Sequence, residues 1–465
     1  MTDFVPHSDD DLRAMLDAVG VSSTAELFSE IPDGVRLGRP LDLPAGLSES
    51  ELFADLERLA AQNTPATSLI SFLGAGAYDH YVPAVVDAVI GRSEFATSYT
   101  PYQPERSQGM LQAIFEFQTA ICELTALPVA NASMYDAGTA LAEAVMLACA
   151  HTGRTGVVVS DGVHPEYRQV LCTETAGCGS PPTPVACGAV TDLESLCAVL
   201  QEMGAGPAAV VLQQPNFFGG LEDMQAASAL AHDAGALLIA VVDPLSLGLL
   251  APPGEYGADV AVGEAQSLGG HLDFGGPYLG FMAVAEPLLR RLPGRLVGET
   301  VDAQGRRGFV LTLQTREQHI RREKATSNIC SNHALNALAA LVYLSWLGKQ
   351  GLPELAVLCA RKAAYLRARL TQLPGVTAFT DGPVFREFAV RLPRPAAAVA
   401  AALVEQGFLA GLDAGRFYDG LDDVLVVAVT ERRTRAEMDA FVDALAGALA
   451  GDTSVGQPPQ AAHDD

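Results

Sequence analysis

Two short apolar runs between Ala236 and Ala283 each end on an acidic residue and a loop, and they constrain the fold more than any other stretch. The first is Ala236-Leu237-Leu238-Ile239-Ala240-Val241-Val242, closed by Asp243-Pro244. The second is Ala258-Asp259-Val260-Ala261-Val262-Gly263-Glu264. Runs this short and continuously apolar read as strands buried on both faces of a parallel sheet. Further strands are expected at 156–161 and 208–214, with a helix at about 222–234. This βα rhythm predicts an α/β fold with a mostly parallel sheet covered by helices on both sides. Ligands of such sheets lie off the carboxyl ends of the strands. Asp243, the loop after Glu264, and His164 beyond Ser160-Asp161 therefore fall on the edge that carries chemistry.

An acid at a strand end, followed some tens of residues later by a loop, matches the layout of enzymes that use pyridoxal 5'-phosphate (PLP). There the acid keeps the pyridine nitrogen protonated, and a lysine on the loop forms the Schiff base. The acid is present here and the lysine is not. The chain has only Lys324, Lys349 and Lys362, and Ser267 or Leu268 stands where the amine belongs. A scaffold of this type without an amine does not hold PLP covalently on its own. In the same layout His164 occupies the place of a residue stacked on the ring, with a solvated loop histidine as the equal alternative. Gly138-Thr139, ahead of the helical Ala140-Leu141-Ala142-Glu143, has the form of a phosphate cup at a helix N-terminus. Plain capping explains it as well.

Charge and composition narrow the function. A net charge of −26, with no basic run longer than a pair such as Arg321-Arg322, argues against nucleic acid or an anionic membrane as partner. No apolar run reaches the roughly 20 residues of a membrane span. The opening Met1-Thr2-Asp3-Phe4 is acidic and polar, so no leader and a cytoplasmic location are expected. The eight cysteines form no CxxC and no metal-type cluster, so no metal is expected. Most read as buried thiols, with Cys172, Cys178 and Cys187 more exposed.

Four regions are expected along the chain. Residues 1–65 form a helical arm, with Ser8 or Asp9 capping one helix and a Ser48/Glu51 capping box opening another. Residues 66–330 form the large α/β domain, and 331–450 hold linking helices and a small α+β domain. The tail 451–465 is expected to be disordered. Within the large domain, Tyr99-Thr100-Pro101-Tyr102-Gln103-Pro104-Glu105 is a loop stiffened by two prolines. A stiff loop bearing hydrogen-bonding aromatics loses little entropy on binding, although a surface turn accounts for it too. The segment Thr315-Arg316-Glu317-Gln318-His319-Ile320-Arg321-Arg322-Glu323-Lys324-Ala325-Thr326-Ser327-Asn328-Ile329-Cys330 concentrates cationic groups. Its Glu317/Arg321 and His319/Glu323 spacings suit i,i+4 pairs on a solvated helix face. An anion site for a carboxylate or phosphate is the functional alternative.

Taken together, the chain resembles the P-protein (glycine decarboxylase) family of the glycine cleavage system, specifically the α chain of its two-chain form. The most specific stretches are Tyr99–Glu105, Asn131-Ala132-Ser133-Met134-Tyr135-Asp136, Phe274-Gly275-Gly276-Pro277-Tyr278-Leu279-Gly280-Phe281, and Gln314 through Cys330. The resemblance implies a large domain of the PLP-dependent transferase-like type (aminotransferase fold type I) and the activity of glycine dehydrogenase (aminomethyl-transferring). It implies PLP bound covalently on a partner β subunit, an α2β2 assembly, glycine as substrate, and the lipoyl group of H-protein as acceptor. Tyr99, Thr100, Tyr102, Gln103 and Glu105 are then expected to face the partner's site. Arg316, Arg322, Lys324, Thr326, Ser327 and Asn328 form a second set. Gly138, Thr139, His164 and Asp243 become inherited scaffold. Two residues depart from the family pattern: Arg386, where Asn is usual, and His271, in a loop usually small or apolar. A self-sufficient PLP enzyme and a purely structural partner of one remain the alternatives.

Overall fold

A computed structural model describes residues 6–65, 68–178, 181–204 and 206–451. The tail from 452 onward, part of the segment expected to be disordered, lies outside them, as does the side chain of Cys178. The chain divides into two compact units between Thr64 and Pro65.

In the N-terminal unit both expected helices form, Asp9–Val19 and Glu49–Ala60, each opened by a complete capping box from Ser8 and Ser48. Neither helix buries a residue, and their apolar stripes, including Leu12, Met15, Phe53 and Leu56, stay exposed.

The second unit is built on a seven-stranded sheet. Its order is Val129–Ala130, Gly280–Val284, Val260–Glu264, Leu237–Val242, Ala209–Gln214, Val157–Ser160, Thr183–Val185. Gly280–Val284 runs antiparallel to both neighbours, and the other pairings are parallel. The central strands are buried end to end, as their unbroken apolar runs require. Three strands of this sheet were not anticipated from the sequence: Val129–Ala130, only two residues long, Gly280–Val284, whose Gly-Pro-rich approach reads as loop, and Thr183–Val185. A hairpin of Leu296–Val301 and Arg307–Thr312, also not anticipated, follows within the stretch assigned to the large domain.

The long helix Ala334–Leu370 is two helices joined where Gly348 leaves helical geometry at φ 61° and ψ −173°. It leads to a four-stranded antiparallel sheet ordered Thr377–Ala378, Glu387–Arg391, Val424–Ala428, Leu412–Asp413. Gly219 brings this sheet against the large one. At φ +82°, a Cβ on it would lie 2.1 Å from the Glu387 carbonyl oxygen, so only glycine permits the approach. Arg386 and Glu387 are thereby set over the carboxyl edge of the central strands. No helix among the described residues is long and apolar enough to cross a membrane.

Candidate functional site

Two separate cavities take up four of the residues singled out in the sequence, His164 and Asp243 in one and Tyr102 and Arg322 in the other. The first lies off the strand ends and is lined by His164, Gln213, Asp243, Glu264, Tyr78, Arg386 and others. Asp243 follows Leu237–Val242 directly, where its sheet position predicts. Its partner is a side chain of the same molecule: Arg386 Nη2 lies 2.7 Å from Asp243 Oδ2, with Arg386 buried and Asp243 mostly so. The guanidinium stacks on the Tyr78 ring, 3.5 Å from the centroid. It also donates to His80 Nε2. Arginine only donates, so His80 Nε2 carries no proton and the ring is neutral, with Nδ1–H given to Glu431. Burial lowers the His80 pKa in the same sense. Cys359 lies close enough to His80 and Glu431 for a three-ligand set, all within 4.8 Å. Both His80 nitrogens are already committed, and burial pushes the thiol up to about 12. The group is therefore a proton-ordered network.

His164 is buried, which removes the solvated-loop alternative. It stacks on Tyr167 at 4.3 Å, and its Nε2 donates to the Ala75 carbonyl at 2.9 Å. Gly138 and Thr139 are not among the cavity's lining residues and lie behind Glu264, in the first turn of helix Ala137–Thr152. The donors there are taken by carboxylates. Asp136 Oδ1 accepts from Thr139 N at 2.8 Å, and Glu264 Oε2 accepts from Ala137 N at 3.2 Å. Glu264 Oε1 also accepts from Gln266 N and Leu279 N. Burial raises the Glu264 carboxyl to about 7 against these hydrogen bonds.

These residues do not fit PLP. A planar cation already sits on the acid that would hold the pyridine nitrogen. Two carboxylates stand where a phosphate would need bare N–H groups. No lysine lines the cavity, whose volume of about 40 Å³ suits a few waters. Ser267 and Leu268, at the place of the missing amine, are 2% and 1% exposed, and the Ser267 hydroxyl has no partner. Arg386, incidental as a sequence departure, is thus the centre of the inherited cavity. The other departure, His271, reaches Asp87 at the surface, 2.9 Å away.

The second cavity is an open cleft of about 560 Å³ where the two expected binding segments meet. Tyr102, half-exposed, faces Glu317, His319, Arg322 and Cys330 across it. The Tyr102 and His319 rings pack edge to face with centroids 6.0 Å apart. Tyr99 and Thr100 line a neighbouring hollow with Arg106 and Ser107. Gln103 and Glu105 are exposed beside the turn Pro104–Arg106. Of the second set, Arg322, Lys324, Thr326 and Asn328 are exposed, while Ser327 is buried and donates to Glu143 at 2.7 Å. Arg316 is turned inward, its guanidinium on the carbonyls of Leu313 and Gly294.

The expected i,i+4 helix face over 317–323 does not form. Only Gln318–Arg321 is α-helical, and Arg322 at φ 56° breaks it, with a separate 3-10 turn over Arg322–Lys324. Among the described residues no Glu317–Arg321 or His319–Glu323 ion pair is made, and His319 instead lies 3.5 Å from Glu317. Arg295 was missed from the sequence although it touches both segments. It lies outside both motifs and nothing local marks it.

The sheet order with its one antiparallel strand, the acid at the central strand end, and the small antiparallel domain packed over that edge define the fold of type I PLP-dependent enzymes. A cysteine desulfurase from Escherichia coli superposes with a TM-score of 0.60 at 16% identity, over 85% of this chain and 98% of that one. The particular family follows from closer likenesses. The family model "Glycine cleavage system P-protein" matches residues 2–445. A probable glycine dehydrogenase (decarboxylating) subunit 1 from Moorella thermoacetica is 56% identical, over 96% of this chain and all of its own length. The crystal structure of a glycine decarboxylase (P-protein) of the glycine cleavage system, in inhibitor-bound form, superposes with a TM-score of 0.87 at 49% identity, over 96% of this chain and 100% of that one. The chain belongs to the glycine cleavage system P-protein family.

Proposed function

We propose that this chain is the coenzyme-free subunit of a two-chain glycine decarboxylase and forms one wall of an active site whose PLP is held by a partner subunit. The observation that carries the reading is the Arg386–Asp243 pair, which closes the inherited cofactor cavity from within. The Tyr102 cleft, by contrast, is open, and its lining includes the exposed Arg322 and the half-exposed Tyr102. The coenzyme on the partner supplies the electron sink for loss of CO₂ from glycine.

The work of this chain is binding and exclusion of water. Pro101 and Pro104 hold the Tyr102 phenol and the Gln103 amide in place at low entropic cost. Arg322 lines the cleft with Tyr102 and offers a guanidinium for the carboxylate of glycine, beside Glu317 and Glu323 on the same lining, while Lys324 is exposed on the same segment. Thr326 and Asn328 add hydrogen-bonding groups on the same exposed segment, and Glu105 flanks the Tyr102 loop. The aminomethyl acceptor is the lipoyl group of H-protein, which approaches the assembled enzyme.

The test is glycine–bicarbonate exchange by the complex reconstituted from this chain, the lysine-bearing partner and lipoylated H-protein. Tyr102→Phe and Gln103→Ala should each slow exchange without dissociating the subunits. Unchanged turnover in both would remove the active-site wall from this chain and leave it a structural partner.

A further inference from the structure

Arg295 is 4% exposed, yet no carboxylate among the described residues pairs with it. Its Nη2 donates to the Cys330 carbonyl at 2.6 Å and lies 3.4 Å from the Tyr102 hydroxyl. Its Nη1 lies 3.4 Å from Asn332 Oδ1, and the guanidinium sits over the Tyr102 ring, 5.5 Å from the centroid. Among the described residues its Nε has no hydrogen-bond partner. The backbone beneath is fixed by the sheet edge, because Ala132 N–H donates to the Arg295 carbonyl at 2.9 Å and Asn131 Nδ2 to the Pro293 carbonyl at 3.1 Å.

A buried cation without an anion is a poor means of stabilising a fold, since an apolar side chain of similar volume does as well or better. What Arg295 does that an apolar residue would not is join two segments with little secondary structure of their own. One is the proline-stiffened Tyr102 loop. The other is the strap through Cys330, which is otherwise tied down by Glu143 on Ser327 and by the Tyr135 hydroxyl on the N–H groups of Cys330 and Ser331. Those ties bind the strap to the large domain but leave Tyr102 out. Among the described residues, Arg295 alone hydrogen-bonds to both.

We propose that Arg295 is a positioning residue for glycine decarboxylation, holding Tyr102 and the Cys330 strap in one fixed relation so that both walls of the cleft meet the partner's site together. The inference rests on the reading that this cleft faces that site.

The experiment is a double-mutant cycle of Arg295→Met and Tyr102→Ala in the reconstituted complex, read by glycine–bicarbonate exchange, with deuterium uptake measured on the single chain. Arg295→Met should lower kcat by about tenfold or more, up to the roughly 100-fold by which ~1 Å of misplacement slows enzymes. KM for glycine should change little, and thermal stability should hold or rise. In the Tyr102→Ala background the same substitution should cost less than about twofold, because the two act as a unit. Uptake should rise in residues 99–106 and 327–332 together. Arg295→Lys keeps the charge and loses the fork, so it should loosen both segments as well and serves if the Met variant does not fold. Fully additive kinetic effects, or uptake unchanged in both segments, would overturn the proposal. If Tyr102→Ala alone leaves turnover intact, the proposed function fails and takes the kinetic role of Arg295 with it. The uptake measurement on the single chain still decides whether Arg295 ties the segments.

Discussion

Arg386 and Asp243 lie 143 residues apart in sequence, and their charged atoms meet at 2.7 Å in the cavity that gives this fold its chemistry elsewhere. Removing one partner of a buried pair leaves a charge with nothing to balance it. Arg386→Ala should cost about 3–5 kcal/mol, read as a lowered denaturant midpoint. Replacing both with leucine should recover most of that loss. A double mutant as unstable as the sum of the singles would show that the pair is not coupled.

Glu264 makes stability depend on pH. Its carboxyl titrates near 7 in the folded chain because burial raises it from 4.5. The folded state then binds a proton more tightly than the unfolded state, so this contribution is complete below about 4.5 and is lost as pH rises through 7. A shift of this size corresponds to about 3 kcal/mol. Glu264→Gln should flatten the unfolding profile between those limits. An unchanged slope in urea titrations at stepped pH would assign the dependence to other groups.

Gly219 tests how the small domain is seated. Gly219→Ala combines a positive φ with a contact of 2.1 Å to a backbone oxygen that has no room to move. Gly348→Ala has a positive φ of +61° and nothing within 4 Å. The second should cost only the roughly 1–3 kcal/mol of a backbone conformation that glycine alone adopts readily. The first should cost clearly more and lower the melting temperature further, in parallel scans of the two variants.

The purified single chain should form no saturable, site-specific aldimine with stoichiometric PLP and should retain no coenzyme after dialysis. Lys324 and Lys349 are exposed, and Lys362 donates to the Glu431 carbonyl, away from the cavity lining. It should catalyse no glycine–bicarbonate exchange until the lysine-bearing partner is added. Exchange by this chain alone would overturn the division of labour.

Local physics made much of this legible beforehand. The central strands are apolar throughout because both faces are covered, so their runs and the acid that ends one of them stand out in the sequence. Ser8 and Ser48 announce their helices through partners three residues away. The hairpin Leu296–Val301/Arg307–Thr312 was hidden because its outer half is charged and exposed, which breaks any alternation. The segment around Arg322 carries helical spacings that a single positive-φ residue overrules. The ties that decide the character of both cavities join Arg386 to Asp243, Glu264 to Ala137 and Arg295 to Cys330. They bridge long stretches of chain and follow no local pattern.

Closing the old cradle with its own cation and its own carboxylates has a consequence for how the subunit matures. A protein that needs its coenzyme to complete the core must wait for a supply of vitamin B6. This one carries both halves of the substitute in its own covalent structure. On this reading, a vitamin-starved cell would still accumulate it fully folded, and only its companion would be held back.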